Sequence, residues 1–366
     1  MNNPKKTVAV AMSGGVDSSV VAKMIVDRGD RAIGLFLKLW NDPTCKVDKE
    51  NRCCDYQALA DAREVANKLK IPFYVINAEE EFKKLIVDDF IDQYKRLQTP
   101  NPCIRCNQYI KFDLLLARAL AVGADSLATG HYGKIIKNKN EYQLLTATDQ
   151  DKDQSYMLYR LNQKQLAKIE FPLFEMKKPA VREKAKVWRL PVHEKPESQE
   201  ICFFGDHDYR DFLQRYLPKK YFLPGDIIYQ KQLIGRHSGL VNYTIGQRKG
   251  IEQSTLGGGP IDRQPLYVKG YNLKKNQLIV DDDKNIYSKT MVVDKLNWVG
   301  SDAINLINNP KLKVKIRYRH PAVACSAMID GDFVKVEFRE PQRAVTPGQS
   351  AVFYLGNRVL GGGIIC

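Results

Sequence analysis

Over the first two hundred residues, short apolar runs alternate with stretches of helical spacing. Thr7–Met12 is apolar almost throughout, the pattern of a strand buried on both faces. A Ser/Gly-rich turn follows, then a helical pattern from Val20 to about Arg28. Ala32–Leu39 reads as a second strand, and Tyr56–Leu69 as a helix with Leu59, Ala62, Ala66 and Leu69 on one side. Phe73–Asn77 predicts a third strand, Glu79–Tyr94 and Phe112–Val122 predict helices, and Ser126–Thr129 predicts a fourth strand. Strands separated by helices need crossover connections, so the fold class is α/β with a mostly parallel sheet. Such sheets bind ligands beyond the carboxyl ends of their strands, where Ser13–Ser19 and Thr129–His131 lie.

Lys134–Thr146 predicts a hairpin turning at Asn138–Asn140, with short helical stretches after it at Ser155–Leu158 and Pro179–Trp188. From Tyr209 the texture changes to short strands with Gly/Pro turns, ending in Gly257-Gly-Gly-Pro260. From about Lys289 the segments KLKVKIRYR, DFVKVEF and SAVFYLGNRVLGGGII alternate with period two. A C-terminal β-barrel is the expected closure. Three units are therefore expected: an α/β domain over residues 1–208, a small mixed domain over 209–285 and the barrel over 286–366.

Composition narrows the class. At 366 residues, 44% hydrophobic and 27% charged, the chain is neither disordered nor fibrous. It has no apolar run long enough to span a bilayer and no signal-peptide pattern at its start, so a cytoplasmic protein is expected. Net charge +15 favours a polyanionic partner, because neutralising phosphates releases condensed counterions. The eight cysteines are scattered over a large chain, which points to reduced thiols with catalytic or redox use rather than structural bridges. Cys45, Cys53 and Cys54 lack a matching histidine or second cysteine pair, so no zinc site is expected there.

The sharpest local motif is Ser13-Gly-Gly-Val-Asp-Ser-Ser19, between a buried strand and a helix. Glycines let successive N–H groups turn toward phosphate oxygens, and the helix start adds partial positive charge. The lysine of a GxxxxGK[ST] loop is absent, as is GxGxxG. The motif resembles the PP-loop of N-type ATP pyrophosphatases, which transfer AMP to a substrate oxygen and release pyrophosphate. That class includes synthetases of GMP, NAD, argininosuccinate and lysidine as well as tRNA-thiolating enzymes.

Thr99-Pro-Asn-Pro-Cys-Ile-Arg-Cys-Asn107 and Glu197-Ser-Gln-Glu-Ile-Cys202-Phe-Phe separate these possibilities. Cys106 and Cys202 lie beside turn formers and polar residues, unlike inert core thiols. With Ala11–Ser18, Gly34–Lys38, Ala128–Tyr132, Lys152–Tyr156, Ser198–Phe203, Tyr243–Gly250, Arg317–Arg319 and Thr346–Gln349, the chain is similar to the tRNA-specific 2-thiouridylases along nearly its whole length. The resemblance implies a PP-loop α/β domain, a small central domain and a C-terminal β-barrel.

The resemblance also implies a chemistry. Uridine C2 is a poor electrophile; adenylating its oxygen makes AMP a leaving group, and an enzyme persulfide supplies sulfur. Cys202 would carry the persulfide, and Cys106 would be the nucleophile that closes a Cys106–Cys202 disulfide. Closure needs Cα atoms ~5.5 Å apart, so one of the two segments is expected to move or order when RNA binds. ATP with Mg2+ would sit on Ala11, Met12, Ser13, Gly14, Gly15, Val16, Asp17 and Ser18, with Leu37 and Gly130 nearby. Asn101, Pro102, Cys103, His131, Lys152, Asp153, Gln154, Arg317, Tyr318 and Gln349 would face the target base and the anticodon arm. Phosphates would be held by basic groups and splayed bases read by stacking and edge hydrogen bonds. A sulfur-donor protein, a desulfurase or a relay, is the second implied partner.

One departure stands out. Cys103 occupies a position where many relatives carry aspartate, and it would replace that base only if a cation such as Arg105 lowered its pKa. Cys103, Cys106 and Cys202 also allow an iron–sulfur cluster, the less favoured alternative, and no other metal site is expected. Two further readings remain at this stage. An amidating synthetase would have no use for Cys106 and Cys202, and an RNA-binding module with a relict loop would not need SGGVDS intact.

Overall fold

The computed structural model describes residues 5–42, 53–197, 201–204, 208–251 and 265–366, without the side chains of 53–55. Cys45, Ser198–Glu200 and Gly257–Pro260, with the side chains of Cys53 and Cys54, lie outside the described residues.

The first sheet is parallel, with strands β1 (Thr7–Ala11), β2 (Arg31–Lys38), β3 (Phe73–Asn77) and β4 (Ser126–Ala128). After the hairpin β5 (Lys134–Asn138) and β6 (Glu141–Leu145), the short β7 (Ile169–Glu170) completes it in the order β3-β2-β1-β4-β7. β1 is central, and its alternation divides two cores. Val8 and Val10 face a cluster with helices Val16–Asp27, Cys53–Leu69 and Lys178–Val187, while Ala9 faces Phe112, Leu115 and Leu127. Both faces are covered, as an apolar parallel sheet requires.

Two helical segments differ from expectation. The first helix starts at Val16 rather than Val20, so Asp17 and Ser18 lie in its first turn. The helix expected at Phe112–Val122 begins ten residues earlier, as Pro102–Arg105 passes into the π-helical stretch Cys106–Leu115 and then Leu116–Ala121. Its start is the Asn101-Pro102 pair: Asn101 Oδ1 accepts from Ile104 N at 3.3 Å, and proline occupies a position whose N–H would be orphaned anyway.

The central sheet has the order β10-β11-β8-β9, from β8 (Gly225–Tyr229), β9 (Gln232–His237), β10 (Tyr267–Asn272) and β11 (Gln277–Asp281). The third sheet contains β12 (Tyr287–Trp298), β13 (Lys313–Lys315), β14 (Val323–Asp330), β15 (Phe333–Arg343), β16 (Ser350–Leu355) and β17 (Arg358–Ile365). Its antiparallel order β12-β15-β14-β13-β16-β17 closes through β12–β17 pairing into a six-stranded barrel. The β5–β6 hairpin joins this sheet rather than the parallel one, with Leu145 opposite Arg358.

The barrel is fastened to the α/β domain by buried groups. Tyr156 Oη donates to Ser350 O at 2.8 Å, Tyr159 Oη lies 3.1 Å from Ser350 Oγ, and Asn297 Nδ2 donates to Tyr159 O at 2.7 Å. Val352, Tyr354 and Val359 share a core with Ala9 and Phe112. A hydrophobic core that crosses the junction holds the two units as one body.

KLKVKIRYR is only partly a strand. β13 ends at Lys315, and Arg317–His320 turn back, with His320 N donating to Arg317 O at 3.1 Å, before Pro321. Arg317 is therefore on a turn over the α/β domain, not among alternating outward charges.

Candidate active site

The loop after β1 curls tightly against the second helix. Gly14 has φ +69°, and a Cβ added there would lie 2.2 Å from Ala58 O. Only glycine fits. Ser18 Oγ braces the turn, accepting from Ser13 N at 3.2 Å and donating to Gly15 O at 3.2 Å. Gly15 caps Val16–Asp27 without a side-chain bond, so the first amides of the helix stay available to an anion. Met12 and Val16 are buried and position the loop from either end, while Ala11 ends β1. Gly130 packs on the far side, where an added Cβ would lie 3.1 Å from Ser18 N.

Leu37 sits where the sheet opens. β1 pairs with β2 only as far as Ala11 opposite Leu35, whose carbonyl accepts from Met12 N at 2.8 Å. Alternate residues of a strand direct their peptide groups to the same side, so Leu37 turns its N–H and C=O toward the side where β1 has already left the sheet.

Asp17 has two partners that sequence reading missed. Lys178 Nζ donates to both its oxygens at 2.7 Å, and Tyr132 Oη donates at 3.1 Å. Lys178 is buried, and it also meets Glu197 at 3.1 Å. Lys195 Nζ donates to Gly14 O at 3.0 Å. The chain from Lys195 to Glu197 thus crosses the phosphate loop on its way to Cys202. Glu197 stands beside the Ser198 landmark, but charged residues without periodicity gave no signal of pairing.

Cys103, Cys106, Cys202 and Lys111 come together: each thiol senses Lys111, and Cys202 senses both other thiols. Cys103, Cys106 and Cys202 are free thiols. Aromatic packing places the Cys202 side, since Phe203 lies 5.9 Å from Phe82, 5.5 Å from Phe90 and 4.6 Å from Phe204. Cys106 packs in the same cluster.

Cys106 is buried, which pushes its thiol up to about 11, and Lys111 offsets only part of this. Cys103 and Cys202 reach the surface, so their upward shift through the crowding around them is weaker evidence of a proton held there. Arg105 is not the activating cation. It is held by Asp89 at 3.0 Å and by Leu85 O at 3.2 Å. Arg105 therefore does not lower the Cys103 pKa, and Lys111 is the cation that acts on this exposed thiol.

His131 has its pKa well below the usual value, first through burial and then through Lys111. Its Nδ1 lies 2.8 Å from Thr129 Oγ1, and its Nε2 lies 3.5 Å from Lys111 Nζ. An ammonium can only donate, which leaves Nε2 as acceptor and puts the ring proton on Nδ1.

The other expected RNA-facing residues divide by how fully they are engaged. Tyr318, on the barrel turn, is half-buried within electrostatic reach of Cys103, Asp153 and Glu197. Lys152 reaches Glu197 at 2.7 Å. Asp153 is buried and accepts from Ala147 N at 2.9 Å and Ser155 Oγ at 2.7 Å, and Gln154 Oε1 accepts from Tyr132 N at 3.0 Å. Arg317 donates to the carbonyls of Arg343 and Ala344. Pro102 is buried at the first turn of the cysteine helix.

Gln349 Nε2 donates to Thr99 O at 2.9 Å, and Thr99 N donates to Pro347 O at 2.9 Å. The Thr346–Gln349 loop of the barrel therefore clamps the segment that leads into Asn101 and the cysteine helix.

Among the described residues, no three His, Cys, Asp or Glu side chains are grouped to hold a metal ion, and no helix is long and apolar enough to cross a membrane. The fold and site define a nucleotide-binding α/β protein of the PP-loop class, with three thiols gathered around Lys111. The family model described as "tRNA methyl transferase HUP domain" matches residues 6–206, "tRNA methyl transferase PRC-barrel domain" matches 210–282, and "Aminomethyltransferase beta-barrel domain" matches 288–365.

The chain is 44% identical to the tRNA-specific 2-thiouridylase MnmA of Geobacter metallireducens over 99% of its own length and 97% of that protein. It is 42% identical to tRNA-specific 2-thiouridylase MnmA 2 of Clostridium tetani, with both chains covered in full. A solved 4-thiouridine synthetase–RNA complex with bound ATP shares 14% identity at TM-score 0.37, covering 58% of this chain and 51% of that one. The chain belongs to the tRNA-specific 2-thiouridylase family.

Proposed function

We propose that this protein catalyses ATP-dependent 2-thiolation of the wobble uridine of tRNA, working in the cytoplasm. The main support is the gathering of Cys103, Cys106, Cys202 and Lys111 in a molecule whose phosphate loop is crossed by the segment leading to Cys202. The family descriptions speak of methyl or aminomethyl transfer, but a phosphate loop and three gathered thiols in one molecule suit adenylation followed by sulfur delivery.

ATP fits the loop. The uncapped helix start and the turn at Gly14 offer backbone N–H groups to phosphate, and the open edge at Leu37 offers hydrogen bonds to adenine. Mg2+ would neutralise phosphate charge and assist departure of pyrophosphate. Asp17, already shared with Lys178, would hold it only by releasing that lysine.

In the proposed sequence, the uridine C2 oxygen attacks the α-phosphorus and pyrophosphate leaves. The terminal sulfur of a Cys202 persulfide then attacks C2 and expels AMP. Cys106 attacks Sγ of Cys202, the sulfur–sulfur bond breaks, and its electron pair stays with the sulfur on C2. The products are 2-thiouridine, AMP and a Cys106–Cys202 disulfide. The transferred sulfur is reduced as the Cys106 thiol is oxidised, Sγ of Cys202 exchanging one sulfur–sulfur bond for another, so an external two-electron reductant must return the disulfide to two thiols. Loading Cys202 requires a sulfur-donor protein, a desulfurase or relay.

The raised thiol pKa values fit this order. Neutral Cys106 stays unreactive until RNA alters its surroundings, and a persulfide is intrinsically more acidic than the thiol it replaces. Asn101, Pro102, Gln154, Asp153, Arg317 and Gln349 act mainly by positioning, while Tyr318, His131 and Lys152 face RNA or nucleotide. The three-unit division at 208/209 and 285/286 is part of this reading, with the β5–β6 hairpin crossing it.

The test is mass spectrometry of tRNA nucleosides after incubation with ATP, Mg2+ and a persulfide source. Wild type should yield 2-thiouridine, and Cys106→Ala and Cys202→Ala should yield none while still releasing pyrophosphate. Full product from Cys202→Ala would refute the proposal.

A further inference from the structure

Glu197 has an excess of cationic neighbours. Lys152 lies at 2.7 Å, Lys178 at 3.1 Å and Arg182 at 3.9 Å. With Lys178 shared with Asp17, two carboxylates divide these three cations, a set that would suit a polyphosphate once Glu197 gives way. The same cluster continues into the phosphate loop, because Lys178 also holds both oxygens of Asp17 in the first turn of the uncapped helix. Partial burial pulls the other way, yet hydrogen bonds from Lys152 and Lys178 keep Glu197 below the ordinary carboxylate range. It is therefore an anion at neutral pH, matching phosphate in sign. Lys152, Arg182 and Glu197 are each only partly exposed, at 35%, 35% and 27% of the side chain, so the cluster opens to solvent without being a loose surface pair.

We propose that Lys152, Lys178 and Arg182 form the seat for the pyrophosphate portion of ATP, and that Glu197 is an internal anion which those phosphates displace. Occupation of the seat then releases one of the two ties of the chain leading to Cys202, that of Glu197 to Lys178, and leaves the Lys195 bond to Gly14 O as the other. Lys152 thereby serves nucleotide rather than RNA. This deepens the reading of the loop as an ATP site and rests on it.

The opposite view, that Glu197 orients the lysines for ATP, predicts the opposite sign on neutralising it. The experiment is titration calorimetry of the full chain with sodium pyrophosphate, without RNA. Pyrophosphate should bind wild type, Lys152→Gln and Arg182→Gln should each weaken it about tenfold, and Glu197→Gln should tighten it about tenfold. Unchanged or weaker binding by Glu197→Gln overturns the proposal.

A second measurement follows alkylation of Cys202 by mass spectrometry. Pyrophosphate should speed it several-fold in wild type, and Glu197→Gln should be fast without it. Equal rates with and without pyrophosphate in wild type overturn the coupling. If Glu197→Gln fails to fold, Lys152→Gln removes one arm at a partly exposed position and should itself speed alkylation; no acceleration there counts against the proposal. Neither measurement contains tRNA. A protein that behaves this way but makes no 2-thiouridine sinks the proposed function alone, and one that thiolates normally with a pyrophosphate-indifferent Glu197→Gln sinks this inference alone.

Discussion

Replacing Gly348 with alanine tests whether the barrel holds the cysteine helix in place. Gly348 has φ +91°, and its added Cβ would stand 2.7 Å from Thr99 N and 2.9 Å from Gln98 Cβ. Thr99 N is backbone, so no rotamer change relieves that contact, and the loop must withdraw. Withdrawal forfeits the Thr99 N to Pro347 O bond and the Gln349 Nε2 to Thr99 O bond, each worth about 1 kcal/mol net. Holding alanine at positive φ adds about 1–2 kcal/mol. The backbone overlap and the strain fall on the docked arrangement alone and act against the roughly 2 kcal/mol that the two bonds give it, so docking loses its advantage and withdrawal is favoured.

Asn101, two residues beyond the clamp, caps the helix that carries Cys103 and Cys106. Withdrawal forfeits both bonds, about 2 kcal/mol together, so single-turnover thiolation should fall at least about tenfold. Affinity for ATP, proposed to bind at the Ser13–Ser18 loop, should stay within about twofold, because the clamp contacts do not include that loop's residues. Gln349→Ala removes one of the two bonds and should cost about fivefold. The assay is quench-flow of persulfide-loaded enzyme with tRNA, read as 2-thiouridine by mass spectrometry. Thiolation by Gly348→Ala within threefold of wild type would refute the clamp.

Further outcomes follow from the same geometry. Gly14→Ala should abolish ATP binding in calorimetry, since its Cβ would lie 2.2 Å from Ala58 O; retained ATP affinity would mean that the loop is not the phosphate cradle. With Cys106 raised to about 11 from 9.0, its alkylation at pH 8 should be about a hundredfold slower than that of an ordinary thiol. Lys111→Met should move the alkylation profile to still higher pH, and an unmoved profile would show that Lys111 does not act on the thiol. The folded state retains this proton longer than the unfolded chain does. Its contribution of about 2–3 kcal/mol is therefore present below pH 9 and lost as pH rises toward 11. Urea unfolding of wild type and Cys106→Ala across that window should show the loss blunted in the variant.

Much of the architecture was legible because burial leaves periodic traces. The apolar run of β1 and the period-two segments of β15–β17 correspond to a central parallel strand and a closed barrel. What local pattern cannot carry is the choice of partner. Nothing in Lys134–Leu145 announces that its hairpin pairs with β17 rather than with the parallel sheet. Lys178 and Glu197 are unremarkable charges until the fold sets them around Asp17.

The early start of the cysteine helix was readable in principle from Asn101-Pro102, a cap followed by a proline that fits a first turn. Its absence of apolar periodicity through Cys103–Asn107 hid it. Arg317 looked like a strand residue because the alternation of KLKVKIRYR continues past the point where β13 runs out of neighbours. Arg105, nearest in sequence to Cys103, was the natural candidate cation, yet its helix aims it at Asp89 and leaves the thiols to Lys111.

The most direct measurement is a single turnover of persulfide-loaded enzyme with ATP and tRNA in the absence of reductant, followed by peptide and nucleoside mass spectrometry on the same sample. The account predicts one 2-thiouridine and one AMP for every Cys106–Cys202 disulfide peptide. Full 2-thiouridine with both cysteines recovered as separate thiols would contradict it.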